Sequence, residues 1–506
     1  MLSALIWLPL LGAIVISCFP STVSSRTVRS VSLVLAIVLL VWTIVIGSQF
    51  DLTATEMQFT ELLPWLDTIG LNYSLGLDGL SLPLLFLNAL LNVVAIAATD
   101  PDIPRSRFYY ALIFVLNVGV AGAFLAQNLL LFFLFYEIEI LPLYFLIAIW
   151  GGQKRGYAAT KFLIYTAASG VLILAAFLGT VWFTGASSFA YDPGRSQLLP
   201  LGTQLLLLSG ILLGFGIKTP FIPLHTWLPD AHVEASTPVS VLLAGVLLKL
   251  GTYGLLRFGL SMFLDAWAYL APWLATWAAV GALYGACCAI AQQDMKKVVA
   301  YSSIAHMAFV LLATAATTRL SLIAAVAQMV SHGLISALLF LLVGVVYKKT
   351  GTRDVQVLRG LLNPERGLPL IGSLMILAAM ASAGIPGMVG FIAEFMVFRS
   401  SFPIFPIQTL LCMVGTGLTA VYFLLMINRV FFGRLDAPFD KLPQVNWNDR
   451  IPALVLVAFI LVLGLQPNWL VRWSESESGM LLTRMSMRTP PPVALTAKIE
   501  PARLLP

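Results

Sequence analysis

Six ionisable side chains stand inside long apolar runs of this 506-residue chain: Glu137, Lys218, Lys249, His306, His332 and Glu394. In hydrocarbon such groups are costly unless they are paired, protonated or hydrated, so they mark sites of function. Their types point to proton transfer. A lysine whose proton affinity depends on where its counter-ion stands can load and release a proton. A neutral imidazole accepts at one nitrogen and donates at the other, which is what a relay needs.

Glu137 lies midway along LLLFFLFYEIEILPLYFLIAIW, and Glu139 follows two residues on, about 200° round a helix, where it cannot share Glu137's face. Glu139 is therefore expected to make a lateral contact with a neighbouring helix or subunit. Lys218, in GILLGFGIKTPFIP, is followed by Pro220 and Pro223, which remove backbone donors and break the helix. Inside a membrane such a break survives only where it is buried or lines a wet cavity. Lys249 lies too deep in the next span to reach a flanking loop. His306, in KKVVAYSSIAHMAFV, and His332, in AQMVSHGLISALLF, fall between Lys249 and Glu394 in chain order, and with Ser302, Ser303 and Ser331 they suggest a hydrated relay. Glu394 follows a second break, SAGIPGMVGFIAEF, and is assigned the terminal gate. The competing reading makes these charges permanent bridges and the histidines satisfied core residues. His225, Asp230, His232 and Glu234 cluster in HTWLPDAHVE, but their spacing matches no recognised metal-ligand set, and capping or loop hydrogen bonding is expected instead.

The elements that must hold these residues are helices. With 59% hydrophobic and 10% charged residues the chain reads as an all-α polytopic membrane protein. Fourteen spans are expected: 3–20, 30–48, 80–98, 109–126, 128–149, 161–184, 204–230 (interrupted), 237–260, 268–292, 298–314, 320–347, 368–399 (interrupted), 406–432 and 451–470. Of the 29 Lys and Arg, seventeen then fall in odd-numbered connections, among them Lys296 and Lys297, and only Arg195, Arg319 and Arg399 in even-numbered ones. That asymmetry puts the odd connections on the cytoplasmic side and both termini on the lumenal or periplasmic side. It also accounts for the net charge of +6 without nucleic acid.

The four cysteines, Cys18, Cys287, Cys288 and Cys412, form no CxxC pair, and no dinucleotide, P-loop or haem motif is present. Any redox chemistry is expected on other subunits, with no cofactor or metal bound here. Spans four to eight (109–260) and nine to thirteen (268–432) each contain five helices with the fourth interrupted. Because five is odd, consecutive copies must be inverted. A three-helix segment, 1–98, precedes them, one helix, 451–470, follows, and the tail 473–506 is expected to order only against a neighbour.

Four stretches, KTPFIPLHTWLPDAHVEASTPVSVLLAGVLLKLGTYGLLR, QQDMKKVVAYSSIAHM, SHGLISALLFLLVGVVY and GFIAEFMVF, resemble the antiporter-like membrane subunits of complex I. Within that family the sequence is similar to subunit 4 of the bacterial complex and of the cyanobacterial and plastid NAD(P)H-quinone oxidoreductase, over about residues 1–470. A glutamate at 394 fits subunit 4, and YEIEILPLYFLIAIWGG resembles the cyanobacterial and plastid branch. HVEAST leans towards the form of the complex associated with CO2 uptake.

The resemblance implies a proton-translocating subunit beside other antiporter-like subunits, in a thylakoid or bacterial inner membrane. Quinone, iron–sulfur clusters and the electron donor, ferredoxin or NAD(P)H, would lie on other subunits. It implies Glu137 and Lys218 as the input ion pair, Lys249 as connector, His306 and His332 as central relay and Glu394 as exit. The alternatives are a subunit of a multi-subunit sodium/proton antiporter, or a scaffold whose charges only hold helices together.

Overall fold

The computed structural model describes residues 1–54, 56–436, 439 and 442–486. Among them, twelve helices are long and apolar enough to cross a membrane. In chain order the helices begin with α1 (Ala4–Ser17), α2 (Ser25–Ser48), α3 (Ser81–Ala98), α4 (Ser106–Leu125), α5 (Leu129–Trp150) and α6 (Arg155–Thr184). Next come α7 (Leu201–Lys218), α8 (Trp227–Glu234), α9 (Thr237–Leu260), α10 (Leu264–Ile290), α11 (Met295–Ala316) and α12 (Arg319–Thr350). The last are α13 (Pro369–Ser382), α14 (Val389–Ser401), α15 (Pro406–Phe431), α16 (Trp447–Leu465) and α17 (Asn468–Ser486). The expected first and twelfth spans fall on shorter helices, α1 and the α13–α14 pair. Both anticipated breaks are present, between Lys218 and Trp227 and between Ser382 and Val389.

Local chemistry sets the ends. The Asn128 side chain caps α5 by accepting from Leu130 N and Leu131 N, and Thr318 with Ser321 forms a capping box on α12. Proline stands in the first turn of α9, α13 and α15, where its missing donor costs nothing. Gly351 closes α12 at φ +76°, a conformation that a side chain would strain.

Burial sorts the helices into layers. α9 is buried from Pro238 onward and α12 from Ser321 to Val346, and α4 and α11 are nearly as buried, whereas α2, α6 and α15 turn apolar faces outward, with Trp182 on α6 82% exposed. Five of the six ionisable residues singled out above are buried; the sixth, Glu137, is partly buried. Two glycines let α9 and α12 approach closely. A Cβ on Gly333 would come within 2.8 Å of the Gly245 carbonyl, and one on Gly245 would strike Leu91. Small residues at such a crossing allow backbone contact that larger ones forbid.

Two elements depart from the sequence reading. The connection 49–79 contains an antiparallel hairpin, β1 (Gln58–Leu66) and β2 (Leu71–Leu77), turning through Gly70 at φ +69°. The fold is therefore helical apart from this hairpin among the described residues. Residues read as the start of a neighbour-dependent tail are instead helix α17, which packs on α3 and α12 of its own chain. The reason is residue size: Leu470, Ser474 and Ser478, four residues apart, form its buried edge. Such a stripe of serines does not register as apolar periodicity. The rest of the tail, 487–506, lies outside the described residues.

Candidate functional site

Lys249 occupies the middle of α9, wholly buried, beside a π-helical segment, Leu243–Leu247. Wider turns leave carbonyls without their usual helical partners, and the Lys249 Nζ donates to one of them, Ala244 O, at 2.6 Å. The same Nζ is 2.7 Å from His332 Nδ1 on α12. The Gly245 and Gly333 crossing, one turn before Lys249 and one residue after His332, brings these two side chains together.

Beyond His332 the line continues. The rings of His332 and His306 are 5.8 Å apart. His306 Nδ1 is 3.1 Å from Glu394 Oε1, and its Nε2 is 3.1 Å from Ser382 Oγ at the second break. Glu394 Oε2 accepts from Thr416 Oγ1 at 3.0 Å. Lys249, His332, His306 and Glu394 thus form one buried string from the first half of the chain into the second, all four of them residues that the sequence singles out. The serine on this string is Ser382, because the hydroxyls of Ser302 and Ser303 turn back to the Val299 carbonyl of their own helix.

The first half corrects one pairing. Lys218, at the end of α7, forms its ion pair with Glu139, and both are buried. Its ammonium also stands 5.0 Å from the Tyr136 ring centre, and the Tyr136 hydroxyl is 2.8 Å from Ser169 Oγ. Glu137 lies against Gly170 of α6, and its Oε1 has no hydrogen-bond partner among the described residues. The expected Glu137–Lys218 pair is therefore a Glu139–Lys218 pair, with Glu137 in the same electrostatic neighbourhood. The helical spacing held the signal: Phe132, Tyr136, Glu139, Leu143 and Ile147 form one buried stripe, and Glu137 is off it. Pro142, which lacks the N–H that would bond the Ile138 carbonyl, accompanies an irregular turn at Glu139.

Residues that sequence reasoning assigns to capping stand near this string. His232 on α8 is fully buried and stacks 4.3 Å from Phe340, and neither ring nitrogen has a partner among the described residues. It lies in the electrostatic range of Lys249 and Lys296. His225 packs against Tyr284, with Nδ1 unpartnered among the described residues. Glu234 bonds a loop as expected, its Oε2 accepting from Lys154 N at 2.8 Å, whereas Asp230 forms an ion pair with Lys161 of α6 at 2.8 Å. Lys296, read as a loop cation, is buried and donates to Ala235 O at 2.7 Å. It lies on the wall of a polar vestibule of about 840 Å³, lined also by Lys154, Asp230, Glu234, Thr237 and Arg353.

A buried string of titratable residues within a bundle of apolar helices, with a vestibule at the Thr237 end of α9, marks an integral membrane protein. Residues 126–419 match the family described as NADH:quinone oxidoreductase/Mrp antiporter, transmembrane, and the chain belongs to that family. It is 42% identical over 493 residues to NAD(P)H-quinone oxidoreductase chain 4 1 of Nostoc sp., covering 94% of this chain and 90% of the relative. A second relative, NAD(P)H-quinone oxidoreductase chain 4 2 of Thermosynechococcus vestitus, is 42% identical, covering 92% and 89%. Among solved structures, a chain of respiratory complex I from Thermus thermophilus superposes with a TM-score of 0.85 at 25% identity, covering 95% of this chain and 100% of that one. A chain of the Mrp complex from Dietzia sp. has the same fold, with a TM-score of 0.86 at 20% identity and coverage of 96% and 98%.

Proposed function

We propose that this chain is a proton-translocating membrane-arm subunit of a complex I-like NAD(P)H or ferredoxin:quinone oxidoreductase. The observation that carries this reading is the Lys249–His332–His306–Glu394 string, set in a chain 42% identical to NAD(P)H-quinone oxidoreductase chain 4 proteins. The subunit itself performs no redox step, and quinone, iron–sulfur clusters and donor lie on its partners. It spans the membrane fourteen times, as two inverted five-helix repeats with a three-helix segment before them and one helix after. Both termini lie on the lumenal or periplasmic side of a thylakoid or bacterial inner membrane. Other antiporter-like subunits flank it, and the CO2-uptake form of the complex is one home for it.

The residues work in sequence. Lys218 and Glu139 form the input switch, with Glu137 as a second carboxylate at its edge. When the pair opens, the field on Lys249 changes and its proton moves to His332 Nδ1. His332 then releases a proton from Nε2 towards His306. His306 accepts on its Ser382 side and gives its Nδ1 proton to Glu394, the exit residue. Arrival of the signal requires no atom transfer from the quinone site, only a change in charge pairing along a shared polar axis.

The test is purification through a tag on this chain, followed by assays of quinone reduction and acidification in reconstituted vesicles. Lys218→Ala is expected to abolish pumping, and unchanged proton stoichiometry in that variant would sink the reading. The fold shared with the Mrp complex favours a second reading, sodium/proton exchange. Recovery of small antiporter subunits only, with sodium-dependent exchange and no quinone reductase activity, would select it.

A further inference from the structure

α9 carries a second cation. Arg257 lies eight residues beyond Lys249, about 12 Å along the helix, towards the end opposite Thr237 and the vestibule. It is 3% exposed. Its Nη2 bonds Asp78 Oδ2, its Nε donates to the Tyr253 hydroxyl at 3.2 Å, and its guanidinium stands 5.4 Å and 5.5 Å from the Tyr253 and Tyr191 ring centres.

The partners are themselves held. Asp78 Oδ1 accepts from Leu80 N at 3.1 Å, Ser81 N at 3.0 Å and Ser81 Oγ at 2.9 Å. The Tyr253 hydroxyl donates to Phe124 O at 3.1 Å, and the Tyr191 hydroxyl is 2.6 Å from Ser261 Oγ. Phe258, next in the chain, fills the remaining space against Phe132 at 4.5 Å and Phe177 at 5.1 Å between ring centres.

A guanidinium does not give up its proton in a protein, so this group cannot serve as a step in a proton path. A guanidinium bonded to a fixed carboxylate and packed among aromatic rings instead occupies the space that a hydrated path would need. We propose that Arg257, clamped by Asp78 and Tyr253, seals the end of α9 remote from the vestibule. A proton on Lys249 then leaves sideways through His332 and cannot slip back along its own helix. This rests on the proton-translocating reading above.

The experiment uses the intact complex in sealed vesicles, with quinone reduction, the pH gradient and its decay after inhibition recorded together. For Arg257→Gln, the reductase rate should stay within about twofold of the unsubstituted complex while the gradient decays about tenfold faster. An assembled Arg257→Gln complex with unchanged decay overturns the seal. Absence of any gradient in the unsubstituted complex overturns the function reading instead.

If Arg257→Gln does not assemble, cysteine labelling on the chain that keeps Arg257 decides. In a background lacking Cys18, Cys287, Cys288 and Cys412, Thr252→Cys should resist a membrane-impermeant thiol reagent added on the Arg257 side. Leu198→Cys, at a site 77% exposed, should react and serves as the control. Labelling of Thr252→Cys overturns the proposal.

Discussion

Lys249 and Arg257 share one buried helix and one charge, yet their surroundings differ in kind. Lys249 faces a carbonyl and an imidazole, with no carboxylate in its hydrogen-bonding contacts among the described residues. Arg257 faces a carboxylate that is itself fixed by three donors. A titratable ammonium beside an acceptor that can take its proton is a transfer site. A permanent guanidinium locked to a carboxylate is a wall. Burial alone therefore does not mark a functional charge, and the partner decides which kind it is.

The largest expected effect comes from erasing that difference. Lys249→Arg keeps the positive charge but cannot release a proton, so vesicle acidification should fall by about two orders of magnitude, with quinone reduction showing whether the complex still turns over. Acidification at the original rate would show that Lys249 carries charge and not protons.

The next comparison separates the two glutamates. Glu139→Gln leaves Lys218 buried without its counter-ion and should destabilise the subunit by about 3–5 kcal/mol, read as a lower melting temperature of the purified complex. Glu137→Gln, which breaks no ion pair among the described residues, should cost about 1 kcal/mol. Equal losses from the two would mean that both carboxylates hold the lysine.

Gly333→Ala tests whether the helix crossing positions the lysine. A Cβ there meets the Gly245 carbonyl at 2.8 Å, and the strain should cost about 1–3 kcal/mol while weakening acidification. The smallest change is Thr416→Val, which removes one donor from Glu394 and is expected to lower stability by about 1 kcal/mol with a mild loss of pumping. A pumping loss as large as that of Lys249→Arg would make Thr416 part of the path.

Much of this site is legible in the sequence, and for identifiable reasons. Lys218, Lys249, His306, His332 and Glu394 stand out because charge in an apolar run is rare and costly. The breaks at Pro220 and Pro386 are visible because proline and glycine interrupt helices wherever they fall. Glu139 does make the expected contact with a neighbouring helix, but Lys218 is assigned to Glu137 instead when depth within the run is weighed above helical phase. Its place on the Phe132, Tyr136, Leu143 stripe would have paired it with Lys218. His232 and Lys296 look like loop residues because they flank short connections rich in polar groups, and only the fold of α8 against α11 and α12 buries them.

A helical membrane protein, most of the ionisable residues buried within it and the places where its helices must break all follow from composition and order along the chain. Transfer costs and backbone chemistry act on each segment alone, so each segment declares them. The folded arrangement settled which carboxylate meets Lys218, that His332 and not an acid faces Lys249, that Arg257 is bound to Asp78 from 179 residues away, and that serines form the buried edge of α17. Those are pairings between distant segments. They depend on helix phase, glycine contacts and the approach of backbones, which no single stretch of sequence contains.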